Sequence, residues 1–222
     1  MPNPSLPPSS PSPKQQALRL VETAFLASTS ALLWLVSVYI NPALPLVRLF
    51  FPLPVAIAVL RWNRRAGQMC MVVSTLLLTV LLGPTRSILY LVPYGILGLW
   101  MGCMWQQGRS WARSIAAGTL LSSLGLIFQL ALSSLLVGEN LWALFTLQLT
   151  GFVNWILDWS LSWLGIHAAA TLLTIRLAIV GLLAINSIIY VFTLHLVSAL
   201  VMEKLERPLP PPPRWVQSLL LS

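Results

Sequence analysis

Long apolar runs, separated by short stretches that contain charged residues, glycine or proline, constrain this chain more than any other feature. Runs of this length, about 20 residues, can cross a bilayer as helices. The composition agrees, since 57% of the residues are hydrophobic, 8% are charged and the mean hydropathy is +0.84. A soluble protein with so few charges would expose large apolar patches. We therefore predict an all-α, polytopic membrane bundle.

Six of these runs are predicted to span the membrane, and between them they define a membrane domain over 22–202. The spans are 23–40, 44–60, 67–82, 87–105, 112–137 and 177–201. Pro52 and Pro54 are expected to kink or partly unwind the second span, because proline removes a backbone donor. A Pro/Ser-rich, disordered tail is predicted over 1–21, and a Pro-rich cytoplasmic tail over 203–222.

The stretch between the fifth and sixth spans admits more than one interpretation. Trp155, Trp159 and Trp163 recur every four residues, so they share one face of a helix, while Asn154 and Asp158 are polar. This pattern is typical of a helix that lies in the membrane interface with its indoles at headgroup depth. We predict such a helix over 141–165 on the outer side. A seventh span and a re-entrant segment are the alternatives.

The basic residues predict the orientation. With six spans, one side receives ten basic residues and the other side three. The first set is Lys14, Arg19, Arg61, Arg64, Arg65, Arg109, Arg113, Lys204, Arg207 and Arg214; the second is Arg48, Arg86 and Arg176. Because cytoplasmic loops carry the excess of Lys and Arg, both termini are predicted to be cytoplasmic. A seventh span would move three basic residues of the C-terminal tail outside.

The sequence contains no pattern typical of an enzyme. No metalloprotease motif, phosphate-binding glycine loop, nucleophile elbow or pair of intramembrane carboxylates occurs, so we predict no catalytic residues and no cofactor. Cys70 and Cys103 lie in apolar runs without metal-ligand spacing, which predicts small buried side chains and no metal site. His195 is expected to pack against a neighbouring helix. The basic residues sit at span ends and form no basic face, so nucleic acid is not an expected partner.

The first span carries small residues three and four apart, namely Ala24, Ala27, Ser28 and Ala31. Small side chains allow two helix backbones to approach closely, and close packing is the main attraction between helices in lipid. This face is therefore predicted either to dock a partner helix or to pack inside the bundle.

Two adjacent runs carry a resemblance to a known family. The runs are LFFPLPVAIAVLRWNRRAG and LLGPTRSILYLVPYGILGLWMG, and they resemble the YybS-like family of uncharacterised multi-span bacterial membrane proteins. That family is similar to the S components of energy-coupling-factor vitamin transporters, which have six helices, cytoplasmic ends and small residues on helix one. The resemblance implies a bacterial cytoplasmic (inner) membrane. The Pro-rich tails and the preference for Arg over Lys resemble cyanobacterial proteins, in which a thylakoid location is the alternative.

Two functions are compatible with these features. The first is a substrate-binding subunit of a small-molecule or vitamin transporter, with separate ATPase subunits and a transmembrane coupling protein as the partners that the resemblance implies. The second is a non-enzymatic membrane scaffold or assembly factor, such as an MreD-like or complex-biogenesis subunit of a larger membrane complex. A polar outer cavity would favour the first, and a bundle filled by side chains would favour the second.

For the first function, a small-molecule ligand is expected near the outer face. The candidate contacts, all placed toward that side, are Arg86, Tyr90, Tyr94, Asn154, Asp158 and Arg176. Each has a structural alternative: the tyrosines as aromatic anchors at the lipid interface, Arg176 as a helix end that extends its charge to the headgroups, and Asp158 as its ion-pair partner.

Overall fold

The structure, a computed structural model, describes residues 12–39, 45–161 and 171–204, and these residues contain helices and no strand. The helices are α1 (Pro13–Tyr39), α2 (Pro45–Arg48), α3 (Leu53–Arg61), α4 (Arg64–Leu82), α5 (Pro84–Tyr90), α6 (Ile96–Gln106), α7 (Trp111–Val137), α8 (Leu141–Leu161) and α9 (Leu172–Lys204). A π-helical turn at Leu91–Gly95 joins α5 to α6. The all-α prediction is confirmed. Of the predicted N-terminal tail, residues 1–11 lie outside the described residues, whereas 13–21 form the first turns of α1, so this part is helical. The predicted C-terminal tail lies outside the described residues from 205 onward.

Five helical segments of the described chain are long and apolar enough to cross a membrane. They are Pro13–Tyr39, Arg64–Leu82, Pro84–Gln106, Trp111–Val137 and Leu173–Met202, which match five of the six predicted spans. The predicted second span, 44–60, is not one helix. It forms the short helices α2 and α3, with Pro52 capping α3 and Pro54 in its first turn, where proline is tolerated because that N–H lacks a helical partner. Proline therefore breaks this segment completely.

The chain divides into two compact units. Unit 1 comprises 1–91 and 98–107, and unit 2 comprises 92–97 and 108–222. The boundary falls within the continuous helical segment that runs from α5 to α6, so the π-helical turn around Pro93 belongs largely to unit 2.

In unit 1, α3 runs antiparallel to α1. The Ser30 hydroxyl donates to the Phe51 carbonyl, whereas Arg61 donates to Glu22, so ten residues of chain return along α1 from its middle toward its start. Asn63 then accepts a hydrogen bond at 2.9 Å from the Ala66 N–H and caps α4. The broken segment thus brings the chain back to the end of the unit where α1 begins, as an intact second span would.

The second half of α6 packs directly on the backbone of α3. A Cβ added to Gly98 would collide with the Pro52 carbonyl oxygen, and one added to Gly102 would lie 3.0 Å from the Ala56 carbonyl oxygen. Further along, the Gln106 side chain donates to the Val59 carbonyl at 3.5 Å. Glycine is needed at 98 and 102 because a side chain would push the two backbones apart.

The core of unit 1 is filled by small and branched apolar side chains. Ala27, Val55, Ala58 and Cys70 form one fully buried cluster, and the Ser74 hydroxyl donates to the Ala27 carbonyl at 3.1 Å. Both cysteines are buried and free, so their predicted role as small buried side chains is confirmed.

Unit 2 is built on an antiparallel pair of helices, α7 and α9. The Ser114 hydroxyl bonds to His195, and the Ser123 hydroxyl donates to Ser187, so residue numbers rise along one helix as they fall along the other. Gly138, with φ of 75°, ends α7 in a left-handed cap. Helix α8 packs against both α7 and α9. The helix predicted over 141–165 is thus present over Leu141–Leu161, while its location in the membrane interface stays a prediction.

Candidate functional site

A buried hydroxyl cluster occupies the interior of unit 1. The Tyr90 hydroxyl lies 2.6 Å from Ser30 Oγ, and Ser30 Oγ lies 3.3 Å from the Phe51 carbonyl oxygen. Because a serine hydroxyl has one proton, Ser30 donates to Phe51 and Tyr90 donates to Ser30. Trp34 packs edge-on against Tyr90 and Phe51, with ring centroids 5.7 and 5.1 Å apart. The exposed fraction of Tyr90 is 0%, so its hydroxyl serves internal packing.

The other predicted ligand residues are divided between the two units. Arg86, in unit 1, is exposed in the first turn of α5. In unit 2, Tyr94 is buried and its ring lies edge-on to Tyr190, with centroids 6.5 Å apart. Asn154 is partly buried, and Arg176 is exposed. The Asp158 side chain lies outside the described residues. Of the described candidate side chains, Arg86 and Tyr90 thus belong to unit 1, and Tyr94, Asn154 and Arg176 belong to unit 2.

The predicted small-residue face of the first span is also divided. Ala27 and Ala31 are buried, whereas Ala24 and Ser28 are exposed. Close packing at Ala27 is therefore made inside unit 1, which is the alternative that the sequence left open for this face. Partner docking through Ala24 and Ser28 stays a prediction. On α8, Trp155 and Trp159 are both exposed, as a shared interfacial face requires, and Trp163 lies outside the described residues.

A surface groove of unit 2, the α8–α9 groove, is lined mainly by those two helices and has a volume of about 750 Å³. Its lining is Ile127, Trp142, Ala143, Thr146, Leu147, Thr150, Ile175, Arg176, Ile179, Val180 and Leu183. The two threonine hydroxyls donate to carbonyls of their own helix, those of Trp142 and Thr146. Arg176 is the only charged side chain among these described lining residues, so the groove is apolar along most of its length.

A second groove, the α7–α9 groove, has a volume of about 480 Å³ and is lined by Trp111, Ala112, Ile115, Ala116, Thr119, Ile188 and Phe192. Close to it, His195 Nε2 lies 2.9 Å from Ser114 Oγ, and His195 Nδ1 lies 2.8 Å from the Val191 carbonyl oxygen. The expectation that His195 packs against a neighbouring helix is confirmed. Sequence reasoning missed this groove, although the four-residue spacing of Ala112 and Ala116 was a signal for it.

A family model for a predicted membrane protein, DUF2232, matches residues 28–218 of the chain. The chain belongs to the DUF2232 family. The comparison with curated proteins found no match, and neither did the comparison with solved structures.

In this DUF2232 protein, the matched range begins within α1 and includes every described helix that follows it, so it covers elements of both units. It also contains the two runs on which the family resemblance rested. Membership and the apolar helices together identify an integral membrane protein. Among the residues that the structure describes, no group of three or more His, Cys, Asp or Glu side chains could hold a metal ion.

Proposed function

We propose that this DUF2232 protein is a non-enzymatic membrane scaffold or assembly factor that holds a helix of another membrane protein in the α7–α9 groove. The observation that carries the proposal is the exposure of Ala112 and Ala116, two small residues one helical turn apart in that groove. Small residues at this spacing let a second helix approach closely, and such packing drives association in lipid.

A separate stripe of small residues on helix α7 is packed inside unit 2. Its buried residues include Ser114, Gly118, Ser122 and Gly125. A Cβ added to Gly118 would lie 2.9 Å from Val191, and one added to Gly125 would lie 3.0 Å from Pro93, so this stripe is occupied within unit 2. Ala112 and Ala116 lie off that stripe and are exposed, which supports a contact with a further helix.

The interior of unit 1 also favours a scaffold over a ligand receptor. The hydroxyl of Tyr90, a candidate ligand contact at the end of α5, is hydrogen-bonded to Ser30, and the rings of Trp34 and Phe51 pack around it. A receptor for a polar small molecule needs convergent polar groups with unused hydrogen-bonding capacity. This closed cluster supports a packing role instead.

The proposed orientation places both chain ends in the cytoplasm. In unit 1 the end near Glu22 carries five described basic residues and the opposite end two; in unit 2 the end near His195 carries three and the opposite end one. In unit 1 the richer end has Lys14, Arg19, Arg61, Arg64 and Arg65, and the poorer end has Arg48 and Arg86. In unit 2 the richer end has Arg109, Arg113 and Lys204, and the poorer end has Arg176. Each unit supports the same orientation independently, because basic residues are retained on the cytoplasmic side. The α7–α9 groove would then lie in the cytoplasmic half of unit 2, in a bacterial cytoplasmic or thylakoid membrane.

Affinity purification in mild detergent tests the scaffold. Chains that co-purify with the wild-type protein are identified and quantified, and recovery is compared with Ala112→Leu and Ala116→Leu. We expect both variants to lose most of the partner, because a leucine in the groove separates the two helices. Ala131→Leu, an exposed alanine on the same helix outside this groove, is the matched control and should recover the partner normally. Equal recovery from all variants would refute the groove as the docking surface.

A substrate-binding, S component-like subunit is the second candidate. It is supported by the family resemblance and by the α8–α9 groove, whose volume of about 750 Å³ falls within the range of small-molecule sites. The same purification separates the two candidates. ATPase subunits and a coupling protein among the recovered chains would favour transport, and their absence alongside another membrane complex would favour the scaffold.

A further inference from the structure

We propose that the α8–α9 groove binds an anionic phospholipid. The lipid phosphate contacts Arg176, and the part of one acyl chain nearest the headgroup lies along the apolar walls. The proposal concerns a different groove from the one assigned to a partner helix, so it does not depend on the scaffold function.

The walls of the groove match an acyl chain. Ile179 is buried at the base, while Leu147 and Val180 are 71% and 64% exposed at the rim. The hydroxyls of Thr146 and Thr150 are satisfied by their own helix, so they do not require a polar occupant. A groove with apolar walls and an open apolar rim favours a hydrocarbon occupant over a polar one.

One end of the groove attracts anions. Arg176 lies in the first turns of α9, which begins at Leu172, and the helix dipole adds partial positive charge at that end. The guanidinium presents a planar set of donors that matches a phosphate bidentately. Nearby, the Thr171 hydroxyl lies 2.8 Å from that of Thr174 at the exposed helix start, so this end is polar as well as cationic.

The spacing of these features fits an amphiphile. From Arg176 to Leu183 the helix rises about 10 Å, so the apolar walls extend this far from the cation. A phospholipid has the same order, a charged phosphate followed directly by hydrocarbon. A free phosphate would use Arg176 alone, and an uncharged lipid would use the walls alone.

Native mass spectrometry of the purified full chain tests the proposal, with phosphatidylglycerol and phosphatidylcholine of identical acyl chains as probes. We expect phosphatidylglycerol to be retained preferentially. Arg176→Gln should weaken its binding about fivefold, since one basic residue near the surface contributes about 1 kcal/mol to anionic-lipid binding. Arg86→Gln, which changes an exposed arginine of unit 1, is the matched control and should bind as the wild type does.

A second variant tests the walls without touching the charge. Ala143→Trp fills the groove while Arg176 remains, and it should also weaken phosphatidylglycerol binding, whereas excess inorganic phosphate should not displace the lipid. Thermal midpoints of the variants confirm that they fold. Equal retention of the two lipids, loss of binding in Arg86→Gln equal to that in Arg176→Gln, unchanged binding in Ala143→Trp, or displacement by inorganic phosphate would each overturn the proposal.

Discussion

The Glu22 carboxylate and the Arg61 guanidinium lie 2.9 Å apart, although they are 39 positions apart in the chain. The second carboxylate oxygen of Glu22 accepts a hydrogen bond of the same length from the indole N–H of Trp62. These contacts join the end of α3 to the early part of α1. They therefore hold the end of segment 45–61 against α1. This contact lies at the end of unit 1 that carries most of its basic residues.

Glu22→Gln is expected to destabilise the protein by about 1 kcal/mol. The substitution removes the ion pair and weakens both hydrogen bonds, but Arg61 is 45% exposed and solvent screens the pair. The measurement is the thermal unfolding midpoint of the protein in detergent, followed by a reporter placed in unit 1. Glu139→Gln, at an exposed position after α7, is the matched control. A midpoint lowered no more in Glu22→Gln than in this control would count against the contact.

The hydroxyl pair of Ser30 and Tyr90 is expected to contribute about 1 kcal/mol to stability. Tyr90→Phe and Ser30→Ala should each destabilise the protein, because each removes a buried hydrogen bond. In the double variant the losses should be less than additive, since both single changes remove the same interaction. A double-mutant cycle of unfolding free energies measures this coupling. Strict additivity would show that the two hydroxyls do not interact.

Ala27→Leu and Ala24→Leu should differ in their effect on folding. Ala27 has no exposed surface and belongs to the core cluster of unit 1, so added methyl groups there should cost about 1–3 kcal/mol. Ala24 is exposed on the same helix and should accept leucine without loss of stability. The yield of folded protein and its thermal midpoint check this. If Ala24→Leu also keeps stability but loses co-purified chains, the docking prediction for that side of α1 gains support.

Gly98→Ala should destabilise the protein by about 1–3 kcal/mol, because the new Cβ collides with the Pro52 carbonyl and forces α3 and α6 apart. Gly181→Ala is the matched control. In the part of the chain that the structure describes, no atom beyond its own helix turn lies within 4 Å of a Cβ at that position. The better helix propensity of alanine should therefore leave stability unchanged or raise it by up to about 1 kcal/mol. Unfolding in detergent compares the two, and an equal response of both would contradict the close approach at Gly98.

Single-cysteine labelling should report opposite sides for Gln107 and Glu139. In a background with Cys70→Ala and Cys103→Ala, an impermeant thiol reagent should label Glu139→Cys in intact cells, and Gln107→Cys only after permeabilisation. Both native side chains are exposed in the loops that precede and follow α7. The reverse pattern would invert the proposed orientation, and labelling of both in intact cells would contradict a membrane-spanning α7.

Sequence reasoning recovered the helices that the membrane itself requires. A backbone in hydrocarbon must satisfy its own hydrogen bonds, so an uninterrupted apolar run of sufficient length becomes a helix whatever its neighbours are. Helices α1, α4, α7 and α9 follow this rule. Pro52 and Pro54 also marked the weak segment, and the structure adds that it is divided into two short helices, α2 and α3.

The candidate site was less predictable for a physical reason. On a helix that is apolar all round, side-chain polarity does not tell which face meets a neighbouring helix and which meets lipid. The sequence therefore predicts Tyr90 as a ligand contact but does not reveal that its hydroxyl bonds to Ser30 in the interior of unit 1. For the same reason the sequence left open whether Ala27 contacts a partner or the core.

What the sequence by itself determined is the all-α membrane class, the positions of the long helices and the bias of basic residues between their ends. These features depend on the length of each apolar run and on charge, which can be read from the sequence without knowing which helices pack together. Only the tertiary structure decided that segment 45–61 returns along α1 as two short helices, which small residues are already occupied, and that Arg176 lines an apolar groove. Those outcomes depend on shape complementarity between helices distant in the chain, because lipid and protein interiors are equally apolar and close packing alone distinguishes them.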